Sequence, residues 1–377
     1  MGMPDIRTPA ASTGTIDADE VLADLATLVS AESPSHDLSA ITNCAQVLAR
    51  IIERRLGSAP ELVDGEAGPH VHWRGSDRPS VLVLGHHDTV FALGTLATRP
   101  FAVTGGRATG PGVFDMKAGI VQAIHAVASL PDRAGVELLF TADEEVGSKS
   151  SRDLLEARAR ACGRVLVLEP SADGGALKTA RKGVGTFELV ITGRAAHAGL
   201  EPEKGINSVV AAAALITQVA AFGDPVHATT VTPTMVSGGT AENVVPAQTR
   251  VKVDVRVVEP EEKARVEALM AGLQSTVPGA TVTVLGGIDR PPMHASASAG
   301  LFPIARDAAR CVGIGEVDGV GVGGGSDGNF TAAIGIPTLD GLGAVGGGAH
   351  AEHEWVDIDT MVPRARLLAE LIVRLTS

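Results

Sequence analysis

Three mostly apolar runs, at 81–85, 136–140 and 164–168, have the length and continuity of buried strands. Each ends in side chains that can bind a cation or move a proton. The first runs into His86-His87-Asp88, the second into Asp143-Glu144-Glu145, and the third into Glu169. Ligand sites in open α/β sheets form outside the carboxyl ends of strands, so three such endings read as one functional edge. Alternation along the first strand puts His86 and Asp88 on one side and His87 on the other, in the core behind the strand.

Apolar spacing and stop signals predict helices over 17–29, 38–56, 117–130, from about 151, near 301–311, and over 360–375. Shorter strands are expected at 61–63, 70–73 and 336–340. His70 and His72 share one face of the second of these, but no acidic residue is nearby in sequence, and the expectation is a surface strand. Asp115, just before the helix at 117, reads equally as an N-cap or as a ligand presented at the helix start.

Over 182–291 the order becomes strand (185–192), helix (206–222), strand (228–237), strand (249–258), helix (260–276) and strand (280–285). This βαββαβ order suits a small independent α+β sandwich. Val251, Val253, Val255 and Val257 share one strand face, so Arg256 lies on the polar face with Lys252 and Asp254. The expected organisation is an α/β domain built from 1–181 and 292–377, with a second domain inserted at 182–291. Gly341, Gly343 and Gly346 satisfy G-x-G-x-x-G, but no helix follows, which argues against a dinucleotide site.

Composition narrows the function. A formal charge of −13 argues against a nucleic-acid partner. No apolar window is long enough to span a membrane, and the amino terminus lacks a signal-peptide pattern, so a cytoplasmic location is expected. Cys44, Cys162 and Cys311 are too scattered for a disulfide framework or thiolate metal site, and each is expected to be buried. His350, in the segment HAEHE, completes a sulfur-free candidate ligand set with His86, Asp115, Glu145 and Glu169. Such donors suit zinc, manganese or cobalt in a catalytic site. Three carboxylates do not neutralise two divalent ions, and the surplus positive charge favours a bridging hydroxide as nucleophile.

GHHDTV, GPGVFDMKAG, TADEEVGS, LEP, GRAAHAG, ENVVP and GAHAEHEWV follow one another along the chain. Together they resemble the dinuclear-zinc peptidase and deacylase family that includes glutamate carboxypeptidase, acetylornithine deacetylase, succinyl-diaminopimelate desuccinylase and aminoacylase. The likeness runs from about residue 22 to the last helix, and GHHDTVFALGTLATRPF and GGGSDGN lean toward glutamate carboxypeptidase. It implies a zinc-peptidase-type mixed-sheet catalytic domain with helices on both faces, an inserted lid and dimerisation domain, and a homodimer formed through that lid. It also implies two zinc ions per subunit, with cobalt or manganese as substitutes.

By position, the resemblance makes His86 and Glu169 ligands of one ion and Glu145 and His350 ligands of the other. Asp115 becomes the bridging carboxylate, followed by a cis peptide. Asp88 would orient His86, and Glu144 would be the general base. His197 would reach a partner subunit's site and stabilise the oxyanion, while Asn243, Arg256 and, less directly, Arg290 would hold a substrate carboxylate. His353 has no counterpart and reads as a supporting or surface residue. The implied activity is release of a C-terminal amino acid, glutamate among the candidates, from a small peptide or N-acyl amino acid. The alternatives are an N-acyl amino acid deacetylase or desuccinylase, or a general aminoacylase or dipeptidase. A catalytically dead scaffold would have lost at least one ligand or Glu144, and none is lost.

Overall fold

The computed structural model describes residues 13–377, and the chain divides into two compact units. The first comprises the chain up to Ala180, Ala295–Gly321 and Ser326–Ser377; the second comprises Arg181–His294 and Val322–Gly325. Sequence order alone assigns Val322–Gly325 to the first.

The first unit is built on a six-stranded sheet in the order Glu61–Val63, His70–Arg74, Val136–Thr141, Val81–His86, Val165–Val167, Thr338–Leu339. The last four run parallel and the first two pair antiparallel, which makes the sheet mixed. The three strands with acid or imidazole endings are therefore parallel neighbours, and their carboxyl ends share one edge. Alternation sends Val81 and Val83 into one core with the helices Ala18–Val29, Leu38–Leu56, Ala118–Ala128, Leu301–Cys311 and Met361–Thr376. Leu82 and Leu84 enter another with Leu155 and Ala159 of Arg152–Cys162 and with Phe330. Helices thus cover both faces. Each fully buried Leu or Phe contributes roughly 1.5–3 kcal/mol, which is what holds the strand ends in place.

Two expectations are corrected. The strand His70–Arg74 is interior rather than at the surface, with His70 and His72 buried. His72 Nε2 lies 2.7 Å from Glu137 Oε1, and Glu137 is also paired with Arg158. The acidic partner comes from the adjacent strand, so a search among sequence neighbours misses it. Cys311 is exposed, whereas Cys44 and Cys162 are buried. A small sheet was also not anticipated: Ala102–Thr104, Arg107–Thr109, Trp355–Asp357 and Gly346–Gly347. It matters because the hairpin from Gly346 to Asp357 carries His350.

The second unit is an antiparallel sheet in the order Thr230–Gly238, Gln248–Val257, Gly183–Thr192, Thr281–Arg290, with the helices Ser208–Ala220 and Pro260–Ala271. Its chain order is βαββαβ. Val251, Val253, Val255 and Val257 are fully buried against Leu215, Val219, Val266 and Met270. The last strand runs to Arg290 instead of stopping at 285, because Gly286-Gly287 does not break it. At Gly286 (φ +85°) a Cβ would sit 2.2 Å from the Thr186 carbonyl oxygen, so glycine is what lets the two strands approach.

Candidate metal centre

His86 ends its strand with Nδ1 3.0 Å from the Asp88 main-chain oxygen and 3.4 Å from Asp88 Oδ1. Donation from Nδ1 leaves Nε2 as the nitrogen that faces Asp115 and Glu169. The buried Asp88 carboxylate does more than orient an imidazole. It accepts hydrogen bonds from Ser35 Oγ at 2.7 Å and from the N–H groups of Glu144 and Glu145 at 3.1 Å each. One aspartate thereby sets both His86 and the acidic turn of the neighbouring strand. His87 is fully buried behind the sheet, its Nε2 3.0 Å from the Pro69 carbonyl, and burial pulls its pKa down to about 4.

Asp115 is not an N-cap. Its backbone is extended (φ −114°, ψ 93°), the Asp115–Met116 peptide is cis, and the helix beginning at Ala118 has no side-chain cap. The turn is held from far along the chain by Glu354. That fully buried carboxylate accepts the N–H groups of Gly112, Phe114 and Asp115 at 2.9, 2.9 and 2.8 Å. Burial pushes Glu354 up to about 7 in spite of these three donors. Gly112 has φ +71°, and a Cβ there would come within 2.4 Å of Thr89 Cγ2.

The Asp115 side chain faces two imidazoles at once. Oδ1 lies 3.3 Å from His86 Nε2 and Oδ2 lies 3.4 Å from His350 Nε2. Each imidazole faces a further carboxylate: Glu169 Oε1 at 3.6 Å from His86 Nε2, and Glu145 Oε2 at 3.2 Å from His350 Nε2. A ligand atom of Glu144 lies with those of His86 and Glu169 inside a 4.8 Å cluster, as do those of His86, Asp115 and Glu145. The third acid of the run, Asp143, turns away and accepts from Ser150 N and Oγ at 2.7 and 2.8 Å.

These residues fit divalent cations. His86 Nε2, Asp115 Oδ1 and Glu145 Oε1 are buried and make no hydrogen bond among the described residues. Burial opposes the charged form of His86, but Asp115, Asp88 and Glu169 outweigh it and hold its pKa well above the ordinary value. Asp115 and Glu145 raise His350 to about 10. Burial opposes ionisation of Asp115 as well, yet His350 and His86 keep it far below the usual carboxylate range. The carboxylates demand positive charge at both imidazoles, and divalent cations answer the same demand with the imidazoles neutral.

The other predicted residues lie in the second unit. His197 is exposed, and its Nδ1 accepts the N–H groups of Gly199 and Leu200 at 3.1 and 3.0 Å. An accepting Nδ1 puts the neutral ring's proton on Nε2, which is then a donor pointing away from its own loop. Asn243 is nearby, its main-chain oxygen accepting Ala198 N–H at 2.9 Å. Arg256 pairs with Asp254 through Nε and Nη2 at 3.0 and 2.9 Å. Arg290 ends its strand opposite Val184. Sequence reasoning missed Arg181, a buried guanidinium whose Nη1 donates to the carbonyls of Gly324 and Gly325 at 3.1 Å each; in sequence it marked only a boundary. It also missed Ser35 and Glu354 as supports of the centre. His353 is exposed.

The model of peptidase family M20/M25/M40 matches residues 82–374, a span that contains every one of these side chains except Ser35. The chain belongs to this family. It is a hydrolase of peptide-type amide bonds with the metal-dependent character of that family. Carboxypeptidase G2 of Pseudomonas sp. (strain RS-16) is 33% identical over 316 residues, covering 80% of this chain and 75% of the relative. The succinyl-diaminopimelate desuccinylase of Ruegeria pomeroyi is 28% identical over 284 residues, covering 68% and 72%. Among solved structures, a tripeptidase from Staphylococcus aureus superposes with a TM-score of 0.79 at 21% identity, covering 96% of this chain and all of that one. Among the described residues no helix is long and apolar enough to cross a membrane.

Proposed function

We propose that the protein is a two-metal carboxypeptidase that removes a C-terminal amino acid from a small peptide or N-acyl amide. The observation that carries this reading is Asp115, whose two oxygens face His86 and His350 while Glu169 and Glu145 face the same two imidazoles. His86, Asp115 and Glu169 would hold one ion, and Asp115, Glu145 and His350 the other, with zinc as the metal. Ions held there supply Lewis acidity, polarising the scissile carbonyl and acidifying water.

The remaining work falls to the chain. Glu144 takes the proton of the attacking water on its carboxylate and returns it to the leaving amine nitrogen. Asp88 holds the Glu144 main chain at 3.1 Å, which keeps that base fixed as the proton moves. His197 offers Nε2–H to the developing oxyanion. Arg256, with its plane set by Asp254, joins Asn243 and Arg290 in holding the C-terminal carboxylate.

A dimer through the second unit is part of the proposal. Its edge strand Thr230–Gly238 exposes Met235 and Val236, and the helix Ser208–Ala220 exposes Val209 and Val210. An open strand edge beside exposed aliphatic side chains suits a second copy of the chain.

The likeness to a desuccinylase supports a second reading, removal of a small acyl group from an amino acid. A panel of dipeptides, folyl-glutamate and acetylated or succinylated amino acids, assayed for amine release with zinc and with EDTA, separates the two. Carboxypeptidase action predicts loss of turnover when the terminal carboxylate is amidated and tolerance of varied acyl groups. No amine release from any member would overturn both readings.

A further inference from the structure

The segment after Asp88 forms a wall that runs from the end of the His86 strand to the hairpin that carries His350. It begins at Thr89, whose N–H donates to Ser33 O at 2.8 Å. It is pinned midway by Glu32, which accepts the N–H groups of Gly94 and Leu96 at 2.9 and 3.0 Å. It ends at Arg99, whose Nη2 lies 3.5 Å from the main-chain oxygen of Ala351, the residue after His350. The wall therefore leaves the centre on the His86 side and comes back to it on the His350 side.

Arg99 is half-buried, with its guanidinium 4.9 Å from the centre of the Phe91 ring. Among the described residues no carboxylate is within ion-pair distance of it. Its one polar contact is longer than an ordinary hydrogen bond. A guanidinium has five donors, and stacking on a ring fixes its plane without using them. Val90 and Leu93, on the same segment, are 45% and 61% exposed and give the wall an apolar surface.

We propose that Arg99 is a specificity-determining residue that pairs with a second carboxylate on the substrate, beyond the C-terminal one. The inference rests on the two-metal hydrolase reading and narrows its substrate class to amides carrying an additional acid. That acid comes from one of two sources: the side chain of the released amino acid, or the far end of the acyl group. The recognition chemistry is the same for both, a planar fork of donors meeting a carboxylate.

The test is steady-state kinetics of the zinc-loaded protein on two matched pairs, Ala-Glu with Ala-Gln and N-succinyl-alanine with N-butyryl-alanine. Wild type favours the acidic member of one pair, and the pair identifies the source of the acid. Arg99→Gln loses roughly 10- to 100-fold in kcat/KM on that member, chiefly through KM. It stays within about twofold on the neutral partner, and Arg99→Lys recovers part of the loss. Equal loss on acidic and neutral members would reduce Arg99 to a support of the His350 hairpin and overturn the inference. So would a wild type indifferent to charge in both pairs. Cleavage of no member would overturn the two-metal carboxypeptidase reading, and this inference with it.

Discussion

Asp88 and His197 show how differently the two units hold polar side chains. Asp88 is fully buried and gathers Ser35, His86 and the main-chain N–H groups of Glu144 and Glu145, which together satisfy its buried charge. His197 is exposed and is steadied only by two N–H groups of its own turn. Asp115 and Arg256 repeat the contrast: the first is fixed by Glu354 and two imidazoles, the second by one neighbouring aspartate and the Gly323 carbonyl. Packing locks His86 and Asp88, whereas His350 is exposed on its hairpin and faces Asp115 and Glu145; the groups assigned to recognition sit on strand faces and loops.

The largest effect is expected in the first unit. Glu144→Gln should lower kcat on the order of 10³-fold while leaving metal content unchanged, measured by turnover and elemental analysis of the same sample. Lost metal would instead make Glu144 a ligand.

A second break of the buried side tests stability alone. Burial works against the charged form of Glu137, but His72 and Arg158 outweigh it and lower its pKa from 4.5 to about 2. A carboxyl depressed on folding contributes stability above its unfolded pKa and loses it as pH falls toward the folded one. Glu137→Gln should therefore cost about 3 kcal/mol at neutral pH, and the deficit against wild type should shrink between about pH 4.5 and pH 2. Denaturant titrations across that window provide the check.

In the second unit His197→Ala should lower kcat on the order of 10²-fold without moving the melting temperature. If His197 serves a partner's site, mixing this variant with Glu144→Gln chains restores part of the activity; unchanged inactivity in the mixture would place it in its own subunit's site. Arg256→Leu is the smallest of the set, raising KM about tenfold for substrates with a free C-terminal carboxylate. On amidated substrates its residual turnover should match the low residual turnover of wild type.

The contrast also explains what the sequence could reveal. The proposed ligands were legible because each stands at the end of an apolar strand or beside a glycine turn, within a few residues of the pattern that marks it. Strand alternation put His86 and Asp88 on one side, and the family resemblance selected the same pair. The supports were not legible, because they arrive from afar: Glu354 reaches main-chain N–H groups about 240 residues earlier, and Glu137 meets His72 across 65. The small sheet that carries His350 has strands of two or three residues, too short for any period. Asp115 remained ambiguous because a cap and a ligand have the same address in sequence, and only the backbone separates them.

The central claim is that Asp115 serves two cations at once. Calorimetric zinc titration of chelator-treated protein tests it most directly. The account predicts two ions per chain in wild type, one tight site retained in His350→Ala, and both sites weakened in Asp115→Ala. A single ion per chain in wild type, or an Asp115→Ala variant that still binds two ions with unchanged affinity, would contradict it.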